Sequence, residues 1–74
     1  MALPVISGRK LVKVLVKVGF KVAGRRGSHI KLKRNVDDKV FVVIVPDHPE
    51  LAKGTLKSIR RQANITREAF MELL

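Results

Sequence analysis

Val40-Phe41-Val42-Val43-Ile44-Val45 is the longest unbroken apolar run in the chain. At six residues it falls far short of the ~20 that a membrane-spanning helix needs. Asn35-Val36-Asp37-Asp38 reads as a turn before it and Pro46 ends it, so the run predicts a β-strand. An apolar strand on both faces has two solutions: it lies centrally in a sheet, or a partner covers its second face.

The preceding residues supply two more strands. Phe20 to Arg25 alternates apolar and basic, which predicts Phe20 and Val22 inward and Lys21, Ala23 and Arg25 outward. Gly24-Arg25-Arg26-Gly27-Ser28 carries turn residues. His29 to Lys33 is the second strand, with Ile30 and Leu32 on one face and His29, Lys31 and Lys33 in a row on the other.

Helices flank this sheet. Ser7 suits an N-cap and Gly19 a C-terminal stop, with Leu11, Leu15 and Val18 at helical spacing between them. Yet Val12, Val14, Val16 and Val18 also alternate, so local pattern leaves helix and strand open there. Thr55 to Ala63 predicts a helix with Leu56, Ile59 and Ala63 inward and Lys57, Arg60 and Arg61 outward, closed by Asn64 in the left-handed conformation. Thr66 caps a last short helix whose apolar positions are Ala69, Phe70, Leu73 and Leu74. The expected architecture is one α+β domain over residues 1–74. It is an antiparallel three-stranded sheet with both main helices on one face, in the order α-β-β-β-α plus a short C-terminal helix.

Seventy-four residues without a cysteine leave no disulfide, thiolate metal site or cysteine nucleophile. No apolar leader block free of Lys or Arg opens the chain, so a cytoplasmic location is expected. Charge is the sharper functional clue. Residues 1–36 hold ten Lys or Arg and no acid, whereas residues 37–74 hold six bases and six acids. The net charge of +10 is therefore one-sided, and a polyanion, most commonly nucleic acid, is the natural partner.

A set of short motifs runs through this framework in order: Ser7-Gly8, Gly19-Phe20, Gly27-Ser28-His29, Pro46 with His48, Gly54-Thr55-Leu56, Ile59, Gln62-Ala63 and Phe70. With this order and spacing the chain resembles the HicA-type toxin family, the RNA-cleaving halves of toxin–antitoxin pairs. It departs at Asn64, where the family usually has Gly. The resemblance implies a helix over residues 8–18 and a fold like that of double-stranded-RNA-binding domains. It further implies an mRNA interferase, RNA as substrate, an acidic antitoxin of the HicB type as partner, and His29 as the catalytic residue.

The chemistry is consistent with those implications. An imidazole suits proton transfer from an RNA hydroxyl near neutral pH. Gly27 and Ser28 bring backbone amides close to a phosphate. Lys31 and Lys33 project from the strand face of His29, and Arg25 and Arg26 suit bidentate phosphate contacts. His48 and Lys57 are auxiliary candidates for protonating a leaving oxygen. Ser28 has no carboxylate nearby to complete a nucleophilic triad.

Two histidines nineteen residues apart, with Asp37, Asp38 and Asp47 in turns, match no metal-ligand spacing. A metal-independent enzyme without cofactor is expected. Two other classes compete with it. One is a catalytically idle module that grips double-stranded RNA by shape and phosphate contacts. The other takes Lys10 to Val22 as a basic amphipathic segment on an anionic membrane.

Overall fold

A computed structural model describes residues 5–74. The chain runs α1 (Gly8–Lys17), β1 (Lys21–Arg26), β2 (His29–Val36), β3 (Lys39–Pro46), α2 (Lys53–Gln62) and α3 (Arg67–Leu73). The sheet is antiparallel in the order β1-β2-β3. The α+β architecture is the expected one, with the helices on one face of the sheet.

The ambiguous valine-rich segment is helical. Ser7 Oγ accepts the Lys10 amide at 3.1 Å and caps α1. At the other end Gly19 has φ +104, its N–H donates to Val16 O, and Phe20 N–H donates to Leu15 O. That pair of bonds is a Schellman closure, and buried Phe20 and Leu15 supply its apolar contact. Three of α1's apolar residues, Leu11, Val14 and Leu15, are buried against the sheet. The face that a membrane-lying segment would need is thus inside the core, which removes the lipid-surface reading. Among the described residues no helix is long and apolar enough to cross a membrane.

The second helix begins two residues earlier than expected, at Lys53, on an Ala52 N-cap without a side-chain bond. It closes as the sequence indicates, with Asn64 at φ +58. Leu56, Ile59 and Ala63 are buried. Arg60, expected outward, is half-buried, and its Nη1 donates to Ile65 O at 2.8 Å. Thr66 Oγ1 caps α3 through the Ala69 amide, and Phe70 reaches the core, but Ala69 itself is exposed.

Ile30 and Leu32 from β2 and Val43 and Val45 from β3 complete the core from the sheet side. Of the two solutions for the apolar run, the central one is wrong. β3 lies at an edge, and Val40, Val42 and Ile44 stand on the outer face with 59%, 41% and 44% of their surface exposed.

The first strand also differs from expectation. All six residues of β1, an edge strand, are exposed, Val22 included. Its register breaks between Val22 and Gly24. Val22 pairs with Leu32, Gly24 with Lys31, Arg25 with Ile30 and Arg26 with His29, leaving Ala23 as the bulged residue. Directly opposed residues share a face, so one extra residue exchanges the two arginines. Arg25 lies on the helix side with Ile30, and Arg26 takes the outer position beside His29.

Candidate functional site

Arg26 and His29 are the closing pair of the β1–β2 hairpin, with Gly27 and Ser28 as its two-residue loop. Gly27 has φ +59 whereas Ser28 is not in the positive-φ region, the combination of a II′ turn. This turn matches the right-handed twist of the strands and puts His29 first on β2. From there the strand's two-residue period sends His29, Lys31 and Lys33 out of the sheet together.

An open groove of about 450 Å³ lies here, lined by Gly24, Arg25, Arg26, His29, Lys31 and Ile44. Four of these six residues are basic or imidazole side chains and none is acidic. Lys33 lies one outward position further along β2, opposite Val42. The outer face therefore carries two columns side by side: His29, Lys31 and Lys33 on β2, and Ile44, Val42 and Val40 on β3. No side chain among the described residues hydrogen-bonds the His29 imidazole.

The turn is braced from behind. Asp47 N–H donates to Ser28 O at 2.6 Å. Arg25 Nη2 donates to Asp47 Oδ2 at 2.6 Å, and Arg25 Nε donates to Gly27 O at 3.2 Å. Arg9 Nε reaches Asp47 Oδ1 at 3.4 Å. The Asp47 side chain is only 12% exposed. The Arg25 hydrogen bond, with the charges of Arg9 and Arg25, holds the Asp47 carboxyl below the ordinary carboxylate range, against the opposing effect of partial desolvation. Sequence reasoning placed Arg25 among the outward phosphate ligands and missed Arg9 and Asp47 as its companions. The usable signal is the position of Asp47, an acid following a strand in a chain whose first 36 residues carry ten Lys or Arg and no acid.

The auxiliary candidates lie elsewhere. His48 is exposed in a groove with Ser7, Arg9, Asp47 and Pro49, and its carbonyl accepts the Gly8 amide at 2.9 Å. Lys57 lines a groove with Lys53, Arg60 and Arg67. Neither groove contains His29.

No curated protein matches the chain. The family model described as the HicA toxin of bacterial toxin-antitoxin matches residues 8–65, from the first helical residue to the residue after Asn64. That span takes in both main helices, the whole sheet, the Gly27-Ser28-His29 turn and the Asp47 brace, and the chain belongs to the HicA toxin family.

Proposed function

We propose that this toxin is a metal-independent endoribonuclease, an mRNA interferase with His29 as general base. The observation that carries the reading is the groove in which His29, Arg26 and Lys31 share one exposed, acid-free face. Such a face attracts phosphate and leaves an imidazole accessible to it. RNA brings its own nucleophile, the 2′-OH beside each phosphate, at high effective concentration. His29 takes the 2′-OH proton, O2′ bonds to phosphorus, and the P–O5′ bond breaks, giving a 2′,3′-cyclic phosphate and a 5′-hydroxyl end. Lys31 and Arg26 offset the charge that grows on the phosphoryl oxygens. Lys33 and the Gly27-Ser28 backbone hold the flanking chain, and Arg25 acts mainly by fixing the turn. Because His48 and Lys57 line other grooves, water is the favoured proton donor to the leaving O5′.

The antitoxin that the family implies is proposed to be acidic, of the HicB type, and to cover this face. Support comes from the adjacent columns, one basic and one apolar, and from the edge position of β3. Exposed apolar edge strands invite association unless something covers them.

One observation favours a second reading, the idle double-stranded-RNA-binding module: no side chain among the described residues hydrogen-bonds the His29 imidazole, whereas general bases are commonly oriented by a third group. Cleavage separates the two. Purified protein should cut a mixed RNA in EDTA, leave cyclic phosphate ends and spare DNA, and the folded His29→Ala variant should not cut. A single 2′-deoxy nucleotide before the scissile phosphate should stop scission there. Normal cutting of that substrate assigns the attack to water, and full activity in His29→Ala removes the histidine from the chemistry.

A further inference from the structure

On the flank of the helical layer, Lys53, Lys57 and Arg60 from α2 and Arg67 from α3 line a groove of about 190 Å³ with no acidic residue. Helical spacing puts the first three on one stripe, at i, i+4 and i+7. Among the described residues none of the four forms an ion pair, although Glu68 and Glu72 lie on α3.

Several features argue against a merely solvated face. Lys53 and Arg67 each open a helix, the end at which the macrodipole disfavours a cation. Lys53 and Lys57 are a repelling i,i+4 pair, and Arg60 extends the repulsion by another turn. Arg60 is half-buried and held by Ile65 O, so its guanidinium is oriented before any ligand arrives. Its Nε is buried and unpartnered. Stability alone would place acids here. The arrangement suits a ligand that brings negative charge.

The size of the groove narrows the ligand. Pockets for whole organic molecules run from roughly 300 to 1,000 Å³, so this one receives a single group. A group held that shallowly has to belong to a polymer anchored elsewhere. Two guanidinium-bearing residues among the four favour a phosphodiester, whose oxygens match their planar forks.

We propose that the Lys53–Lys57–Arg60–Arg67 groove is a second RNA-backbone site, binding phosphates of the same strand away from the scissile bond. It rests on RNA being the ligand of the His29 face, but its test does not use cleavage. RNA binding is followed by fluorescence anisotropy across a salt series, with a labelled single strand and His29→Ala as the parent so that the strand stays intact. Each phosphate contact to a single strand contributes about −0.7 to the slope of log K against log salt. Lys57→Gln/Arg67→Gln should therefore reduce the slope by about 1.4, with the same loss on every sequence. Lys13→Gln/Lys17→Gln on α1 removes the same charge outside the groove, and it should change the slope less. Equal slopes for the two double variants would reduce the groove to long-range charge and overturn the proposal. So would an unchanged RNA slope accompanied by weaker antitoxin binding, which assigns the groove to the protein partner. Cutting by the His29 protein, measured separately, decides the ribonuclease reading whatever the slopes show.

Discussion

Arg25 holds Asp47 and the Gly27 carbonyl with one guanidinium: Nη2 lies 2.6 Å from Asp47 Oδ2, and Nε lies 3.2 Å from Gly27 O. The Asp47 amide returns to Ser28 O, so the loop after β3 and the turn before β2 are joined through both side chain and backbone. The turn that positions His29 is thereby tied to a charge whose presence depends on pH.

Asp47→Asn is predicted to loosen that turn without unfolding the domain. The folded Asp47 carboxyl is held below its ordinary value of 3.8, chiefly by the Arg25 hydrogen bond. A depressed carboxylate contributes stability that is complete above the unfolded value and is lost as pH falls through the folded one. Urea unfolding should show wild type above Asp47→Asn at pH 7, with the gap closing below about pH 4. The exposed arginines make the gap shrink in high salt. With His29 as the general base, as proposed, misplacing it costs up to about a hundredfold, so RNA turnover at pH 7 should then drop by about ten- to a hundredfold. Parallel stability curves at all pH values would remove Asp47 from the brace.

Gly8 is predicted to be required where Gly54 is not. A Cβ on Gly8 would run into the Pro46 carbonyl oxygen, and would lie 3.0 Å from Pro46 C and 3.1 Å from Asp47 Cα. That backbone cannot retreat freely, because Gly8 N–H donates to His48 O and Leu51 N–H to Ile6 O, both at 2.9 Å. Gly8→Ala should cost about 1–3 kcal/mol through overpacking, lowering Tm by roughly 4–8 °C per kcal/mol. A Cβ on Gly54 meets nothing within 4 Å, so Gly54→Ala should stabilise by about 0.4–1 kcal/mol. Thermal melts of the two variants therefore move in opposite directions. Shifts of the same sign would contradict the close approach of α1 to the end of β3.

What the sequence made legible follows from periodicity. The row of His29, Lys31 and Lys33 needs only the two-residue period of a strand, and the α2 core positions need only the helical one. The face of Arg25 was not legible, because a single bulged residue reverses it and Ala23 carries no mark of a bulge. The partner of Arg25 lies 22 positions away in the chain, and tertiary packing alone brings it there. The position of β3 is not legible for a different reason: Val40–Val45 reads the same whether its outer residues face a layer of protein or a partner. For α1, β-branched valines offset the helical spacing of the leucines. Burial of Leu11, Val14 and Leu15 under one helical face settles what local propensity could not.

The two columns of the outer face are predicted to act differently on the antitoxin. Val42 and Ile44 are exposed in the free protein, directly opposite Lys33 and Lys31. Burying each of these side chains fully under a partner is worth about 1.5–3 kcal/mol, and each 1.4 kcal/mol is tenfold in Kd. Val42→Ser/Ile44→Ser should thus weaken the complex by about ten- to a hundredfold after partial burial, mostly through faster dissociation. Lys31→Gln/Lys33→Gln should instead slow association and flatten its salt dependence, because exposed charges steer encounter more than they hold the complex. Neither pair touches the core, so both variants should melt near the wild-type temperature. Stopped-flow association and displacement across a salt series measure the two effects separately. If the apolar pair can be replaced with no change in dissociation rate, the antitoxin docks elsewhere and the exposed column on β3 needs a different explanation.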